Sequence, residues 1–220
     1  MAASVRDRTY RRWLLGGVAV VALAVLATAL SPLALRATGR LLVGNEAVER
    51  VDLAIMTVDS GLAGLIELGD LFHEHLADRV GMFAPPETAA DRELERRGVH
   101  PPDQARDILV ELGVTSDRIV SIASGEVGTT ESAAAVYEWC RTHRVGRVLI
   151  VVSATHGRRF RRTIRRAWHD GTPIPIVRVP RFDAFDPDEW WRSRSTLREG
   201  IVEAEKLLWD VVSHPFELLR

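Results

Sequence analysis

From Val51 onward, short apolar runs alternate with longer stretches in which apolar residues recur every three or four positions. The short runs Asp52–Val58, Arg79–Ala84, Arg118–Ala123, Arg147–Ser153 and Ile174–Val179 predict strands. Between them the helical period predicts helices near Gly61–Ala77, Pro101–Leu112, Thr129–His143 and His156–Trp168, and a last helix over about Pro187–Val212. Strands that are apolar throughout need cover on both faces. The order therefore predicts an α/β domain with a parallel sheet of about five strands and helices on each side. The proline- and charge-rich segment Pro85–Pro102 is expected as an exposed excursion.

Before Val51 the pattern is different. Leu14 to Leu35 is an uncharged run of 22 residues, long enough at about 1.5 Å per residue to cross a hydrocarbon core of about 30 Å. Arg6, Arg8, Arg11 and Arg12 precede it and Trp13 stands where an interfacial aromatic belongs. The run predicts one N-terminal transmembrane helix, a signal anchor with the main domain outside the cytoplasmic membrane. Ala27-Thr28-Ala29 has the small-x-small form of a cleavage site, so secretion after cleavage near Ala29 is the alternative. The expected organisation is a short basic N-terminus over 1–13, the anchor over 14–35, a linker over 36–50, the α/β domain over 51–213 and a tail over 214–220.

Charge narrows the partners. Six basic residues and one acid precede position 41, which leaves 23 basic against 29 acidic residues in the remainder. An acidic body is a poor match for a polyanion, so nucleic-acid binding is disfavoured. The single cysteine, Cys140, excludes an intrachain disulfide and reads as a buried thiol in the apolar stretch around Trp139. His73 and His75 are two apart, which on a helix points them away from each other, so no metal site is expected. No Gly-x-Gly-x-x-Gly is present, and Gly61-x-x-Gly64 alone gives no warrant for a dinucleotide; the cofactor is left unknown.

The candidate chemistry gathers after the fourth strand. The apolar run ends at Ser153-Ala154-Thr155-His156, and six arginines follow between Arg158 and Arg166. Polar groups at a strand-to-helix turn lie where open α/β sheets bind ligands, and a helix N-terminus favours an anion. At 100° per residue Phe160, Ile164, Ala167 and Trp168 share one side; Arg161, Arg165 and Arg166 read as a solvated face. Ser153, Arg158, Arg159 and Arg162 stay near the turn as ligand-binding candidates, with His156 as acid, base or donor. Thr129 and Glu131 open the helix after strand three; they cap it, or they face the same edge, where Glu131 and His156 would form a carboxylate–imidazole pair. Asp59 lies just past strand one and either caps the next helix or binds a hydroxyl or cation.

Strand, then Ser-Ala-x-His-x-x-Arg, then helix resembles the signature of the YdcF-like family, the SanA and ElyC envelope group. Val51-Asp52-Leu53-Ala54-Ile55 resembles its first strand, and Gly113-Val114 with Asp117-Arg118-Ile119 its lead into the third. Gly128-Thr129-Thr130-Glu131-Ser132 resembles its Asn-Thr-x-Glu-Asn box, and Trp190-Trp191 with Glu203-x-x-Lys206 its C-terminal part. The resemblance covers about residues 50 to 210. It implies a Rossmann-like domain tied to cell-envelope or peptidoglycan biogenesis, with no settled reaction. Two turns depart from the family: Thr57-Val58-Asp59-Ser60-Gly61 replaces a Gly-rich end of strand one, and Ala84-Pro85-Pro86 replaces Ser-Gly-Gly. Two functions follow as expectations. One is binding or processing of a phosphate-bearing small molecule or lipid-linked precursor; the other is a non-catalytic envelope scaffold with a degenerate site.

Overall fold

The computed structural model describes residues 31–84, 87–99, 103–123, 128–168 and 171–215. Five strands, β1 (Leu53–Met56), β2 (Val80–Ala84), β3 (Ile119–Ala123), β4 (Arg147–Val151) and β5 (Ile174–Arg178), form one sheet in the order β3-β2-β1-β4-β5, every pair parallel. The seven helices among the described residues are α1 (described over 31–42), α2 (Gly61–His73), α3 (Ala89–Arg96), α4 (Gln104–Glu111), α5 (Thr129–Thr142), α6 (Gly157–Ala167) and α7 (Arg194–Ser213). The strand order reverses between β1 and β4. In a doubly wound sheet this is the point where the loops at the carboxyl ends part and leave a crevice.

Strand alternation explains the two-sided core. Leu53 and Ile55 of β1, with Val148 and Ile150 of β4, face Val136 of α5 and Phe160 and Ile164 of α6. Ala54, Met56, Leu149 and Val151 face Leu65, Leu68 and Leu71 of α2 and Leu109 of α4. Each fully buried aliphatic side chain in these layers contributes about 1.5–3 kcal/mol. The expected strands all form, each shorter at one or both ends. β1 ends after the Thr57 N–H makes the last ladder bond, to the Val151 carbonyl (2.9 Å); the Thr57 carbonyl then turns back to the Ser60 N–H (3.1 Å) and opens the 3-10 turn Val58–Ser60.

Three expectations need correction. The Pro85–Pro102 excursion is exposed as read but contains α3, which Thr88 and Asp91 start with a reciprocal capping box. Pro85, Pro86 and residues 100–102 lie outside the described residues. The last helix begins at Arg194 rather than Pro187, because Asp186 Oδ1 accepts from the Asp188 N–H in a turn, and Trp190–Arg192 form a 3-10 turn whose Trp190 is buried under Gly200. The stretch 36–50 is no loose linker. Leu42 is buried with Ala154, Phe185, Trp190 and Leu207; Trp190 Nε1–H donates to the Leu35 carbonyl (2.8 Å); Glu46 exchanges two hydrogen bonds with the Val177 backbone (3.0 and 2.8 Å). Residues 14–30 of the expected anchor lie outside the described residues, and among those described no helix is long and apolar enough to cross a membrane.

Candidate functional site

The turns after β1 and β4 meet at the switch point. Ser60 Oγ donates to the Thr57 carbonyl (2.7 Å), which tightens the first turn. In the second, Asp183 Oδ2 accepts from the Ala154 N–H (2.9 Å), Ser153 Oγ lies 3.2 Å from Thr155 Oγ1, and the His156 N–H bonds to the Ser153 carbonyl (3.0 Å). α5 and α6 pack side by side on one face of the sheet, with Trp168 Nε1–H donating to the Ala133 carbonyl (3.0 Å). Their N-termini therefore open at the same carboxyl edge, and α7 lies across α6.

A polar cluster forms where these three helices meet. His156 Nε2 is 3.4 Å from Thr129 Oγ1 at the start of α5. Arg159, one turn into α6, sends Nη1 to Thr129 Oγ1 (3.1 Å) and Nη2 to His156 Nδ1 (2.7 Å). Its Nε and Nη2 grip Glu203 of α7 at 2.9 and 3.3 Å, and Lys206 Nζ reaches the same carboxylate at 2.7 Å. The His156, Arg159 and Glu203 side chains are each less than one-fifth exposed. Burial opposes the charge on Glu203, but the hydrogen bonds from Arg159 and Lys206 outweigh it and hold its carboxyl well below the usual range. α5 has no side-chain cap, since its N-cap is Gly128, so its first-turn N–H groups remain available beside the Thr129 hydroxyl.

The arginines do not form a solvated face. Arg158 Nε donates to the Leu41 carbonyl (2.9 Å), Arg161 pairs with Glu46 (2.5 Å), and Arg162 and Arg166 both bind Asp210 of α7 (2.5 and 2.6 Å). Burial raises the Asp210 pKa; the hydrogen bonds from Arg162 and Arg166 lower it by more, so the carboxyl sits below its ordinary value. Arg165 alone of the six is classed as exposed. Glu203 and Asp210, seven residues apart on one helix, thus meet Arg159, Arg162 and Arg166, spaced by three and seven on the other. That complementary spacing is a signal the sequence carries, though only the packing of α7 on α6 gives it meaning.

Of the expected site residues, Thr129, His156 and Arg159 come together. Ser153 lies at the base of the same turn. Glu131 does not pair with His156: it is exposed at the third position of α5, and its carboxylate folds back against Gly128, where a side chain at 128 would collide with it. The carboxylate beside the imidazole is Glu203, with Oε2 3.5 Å from Nδ1. Asp59 is exposed in a 3-10 turn; the N-cap of α2 is Ser60, so Asp59 does not serve as that cap, and it has no hydrogen bond among the described residues. Arg158 and Arg162 point to α1 and α7 and away from the turn.

Residues not singled out as site candidates also shape this edge. Glu67 of α2, only 2% exposed, takes Arg178 Nε (3.0 Å) and the Arg181 N–H (3.0 Å), tying the end of β5 to α2. No group of side chains that could hold a metal exists among the described residues. His73 Nε2 instead lies 2.6 Å from the Leu112 carbonyl, and His143 stacks on Trp139 at 3.9 Å. Fold and cluster together define a doubly wound α/β domain with a built polar edge. No family model and no curated protein matches the chain.

Proposed function

We propose that this chain is a YdcF-like, Rossmann-like domain that binds or processes a phosphate-bearing envelope metabolite at the edge where α5 and α6 begin. The signal anchor over Leu14–Leu35 holds it on the outer side of the cytoplasmic membrane, where a lipid-carrier or peptidoglycan precursor is the natural ligand class. The observation that carries this reading is the Thr129–His156 pair beside the uncapped start of α5. Thr129 Oγ1 already receives Arg159 Nη1, so its own proton is free to donate outward. Backbone N–H groups, a hydroxyl and an imidazole then converge on one position suited to a phosphate oxygen. Arg158, Arg159 and Arg162, expected as the grip, hold Leu41, Glu203 and Asp210 instead, so they support the edge from behind.

Calorimetric titration of the full-length protein with a polyprenyl phosphate, against a Thr129→Val/His156→Leu variant, tests the proposal. Binding that drops at least tenfold supports it, and superimposable isotherms refute it. A topology reporter fused after Arg220 tests the outward orientation. A second reading, a non-catalytic envelope scaffold, draws on the engagement of these same arginines and on the altered Asp59 turn. It predicts that Thr129→Val/His156→Leu restores an envelope defect fully in a complementation assay.

A further inference from the structure

His156 has two partners competing for one nitrogen, and the distances decide between them. Nδ1 is 2.7 Å from Arg159 Nη2 and 3.5 Å from Glu203 Oε2. A guanidinium keeps all its protons and offers no lone pair, so at 2.7 Å the Nδ1 atom must be the acceptor. The remaining ring proton then sits on Nε2, which faces Thr129 Oγ1 across 3.4 Å, a long and readily replaced hydrogen bond. Arg159 is not free to turn elsewhere, because Glu203 holds its Nε and Nη2 while Lys206 anchors the far oxygen of the same carboxylate.

We infer that Arg159, oriented by Glu203, is a positioning residue that fixes His156 as the Nε2–H tautomer, so that the imidazole presents a donor and not a base to a ligand oxygen at the Thr129 turn. In this form Nε2–H donates a hydrogen bond and cannot accept a proton. The tautomer rests on geometry alone; the donor role rests on the ligand edge proposed above. The carboxylate–imidazole contact that would make His156 a base is replaced by an arginine wedged between the two groups. Thr129, His156 and Glu203 thus stand in a row that Arg159 interrupts, so His156 offers a ligand a hydrogen-bond donor and relays no proton.

Full-length protein labelled with 15N-histidine reads the tautomer directly, the His156 signals among the seven histidines being those lost in the His156→Gln spectrum. The expected result is a protonated Nε2 and a bare Nδ1; the opposite pattern overturns the inference. In an Arg159→Met variant, Nδ1 should gain the proton and turn to Glu203, and an unchanged tautomer in that folded variant overturns the positioning role. Binding of inorganic phosphate separates donor from base without needing Arg159 variants to fold. His156→Gln, which keeps a terminal N–H, should bind within about threefold of wild type, while His156→Leu should lose about tenfold, the worth of one hydrogen bond. Equal losses in both refute the donor role. Failure of the wild type to bind any phosphate refutes the ligand edge and the donor role together, whereas the 15N pattern judges the tautomer independently.

Discussion

Glu203 illustrates how one buried charge can hold a site together without touching a ligand. Its carboxylate is 11% exposed and accepts from Arg159 and Lys206, so removing it leaves the Arg159 guanidinium, 16% exposed, without its counter-ion. Breaking one side of a buried pair costs about 3–5 kcal/mol, while replacing both sides with apolar groups of similar size is often neutral. Glu203→Ala should therefore cost about 3 kcal/mol of stability, read as a lower urea midpoint, and Arg159→Met/Glu203→Leu should recover most of that loss. Titration of the acids gives the pH dependence. Glu203 and Asp210 have carboxyls held below their ordinary values in the fold. Below about pH 4 the unfolded chain therefore binds more protons than the native one, and stability falls as pH falls. The contribution is complete above the unfolded carboxylate pKa and is lost toward the lower, folded one. Asp210→Asn should flatten the stability curve between about pH 4 and pH 2, measured by urea unfolding at each pH, and an unaltered slope would count against the linkage.

Elements meet here through close backbone approaches as well as charge. The backbone at Gly44 rests on the first turn of α6: a side chain at 44 would come within 2.6 Å of the Arg158 nitrogen, and one at 157 within 2.8 Å of the Gly44 nitrogen. Both neighbours are main chain and cannot rotate aside. Gly44→Ala should thus push residues 43–46 off α6 and cost about 1–3 kcal/mol, with faster amide exchange at Glu46 and Val177 as the local sign. Strand and helix positions were legible in the sequence because β1 and β2 are apolar throughout, β4 is apolar after Arg147, and α5 and α6 keep a clean helical period. Thr129, His156 and Arg159 were legible for the same reason, since a strand-to-helix turn announces itself. Packing partners were not. Nothing in the local pattern says that Gly44 touches Gly157 or that α7 places Glu203 on Arg159, since each depends on how elements far apart in sequence come together.

The doubly wound sheet also bounds what the molecule can expose at once. Cys140 lies on α5, fully covered between that helix and the sheet, in the same core cluster as Val136, Val145 and Val148. Burial pushes its thiol up to about 12, so the reactive thiolate is scarce even where reagent could reach it. α5 cannot lift without uncovering Ala133 and Val136 and releasing Trp168 from the Ala133 carbonyl, which couples the thiol to the whole face that α5 and α6 share. Opening should therefore need cooperative unfolding of that face, and not local fraying of the helix. A disulfide-exchange reagent should leave the native protein unmodified over hours and label one thiol in full after denaturation. With increasing urea, the labelling rate should rise along the same free-energy slope as global unfolding followed by tryptophan fluorescence. A labelling rate that is fast in the absence of urea and independent of it would mean that α5 opens alone, and the edge built by Thr129 and His156 would then be far less preorganised than the network around Arg159 implies.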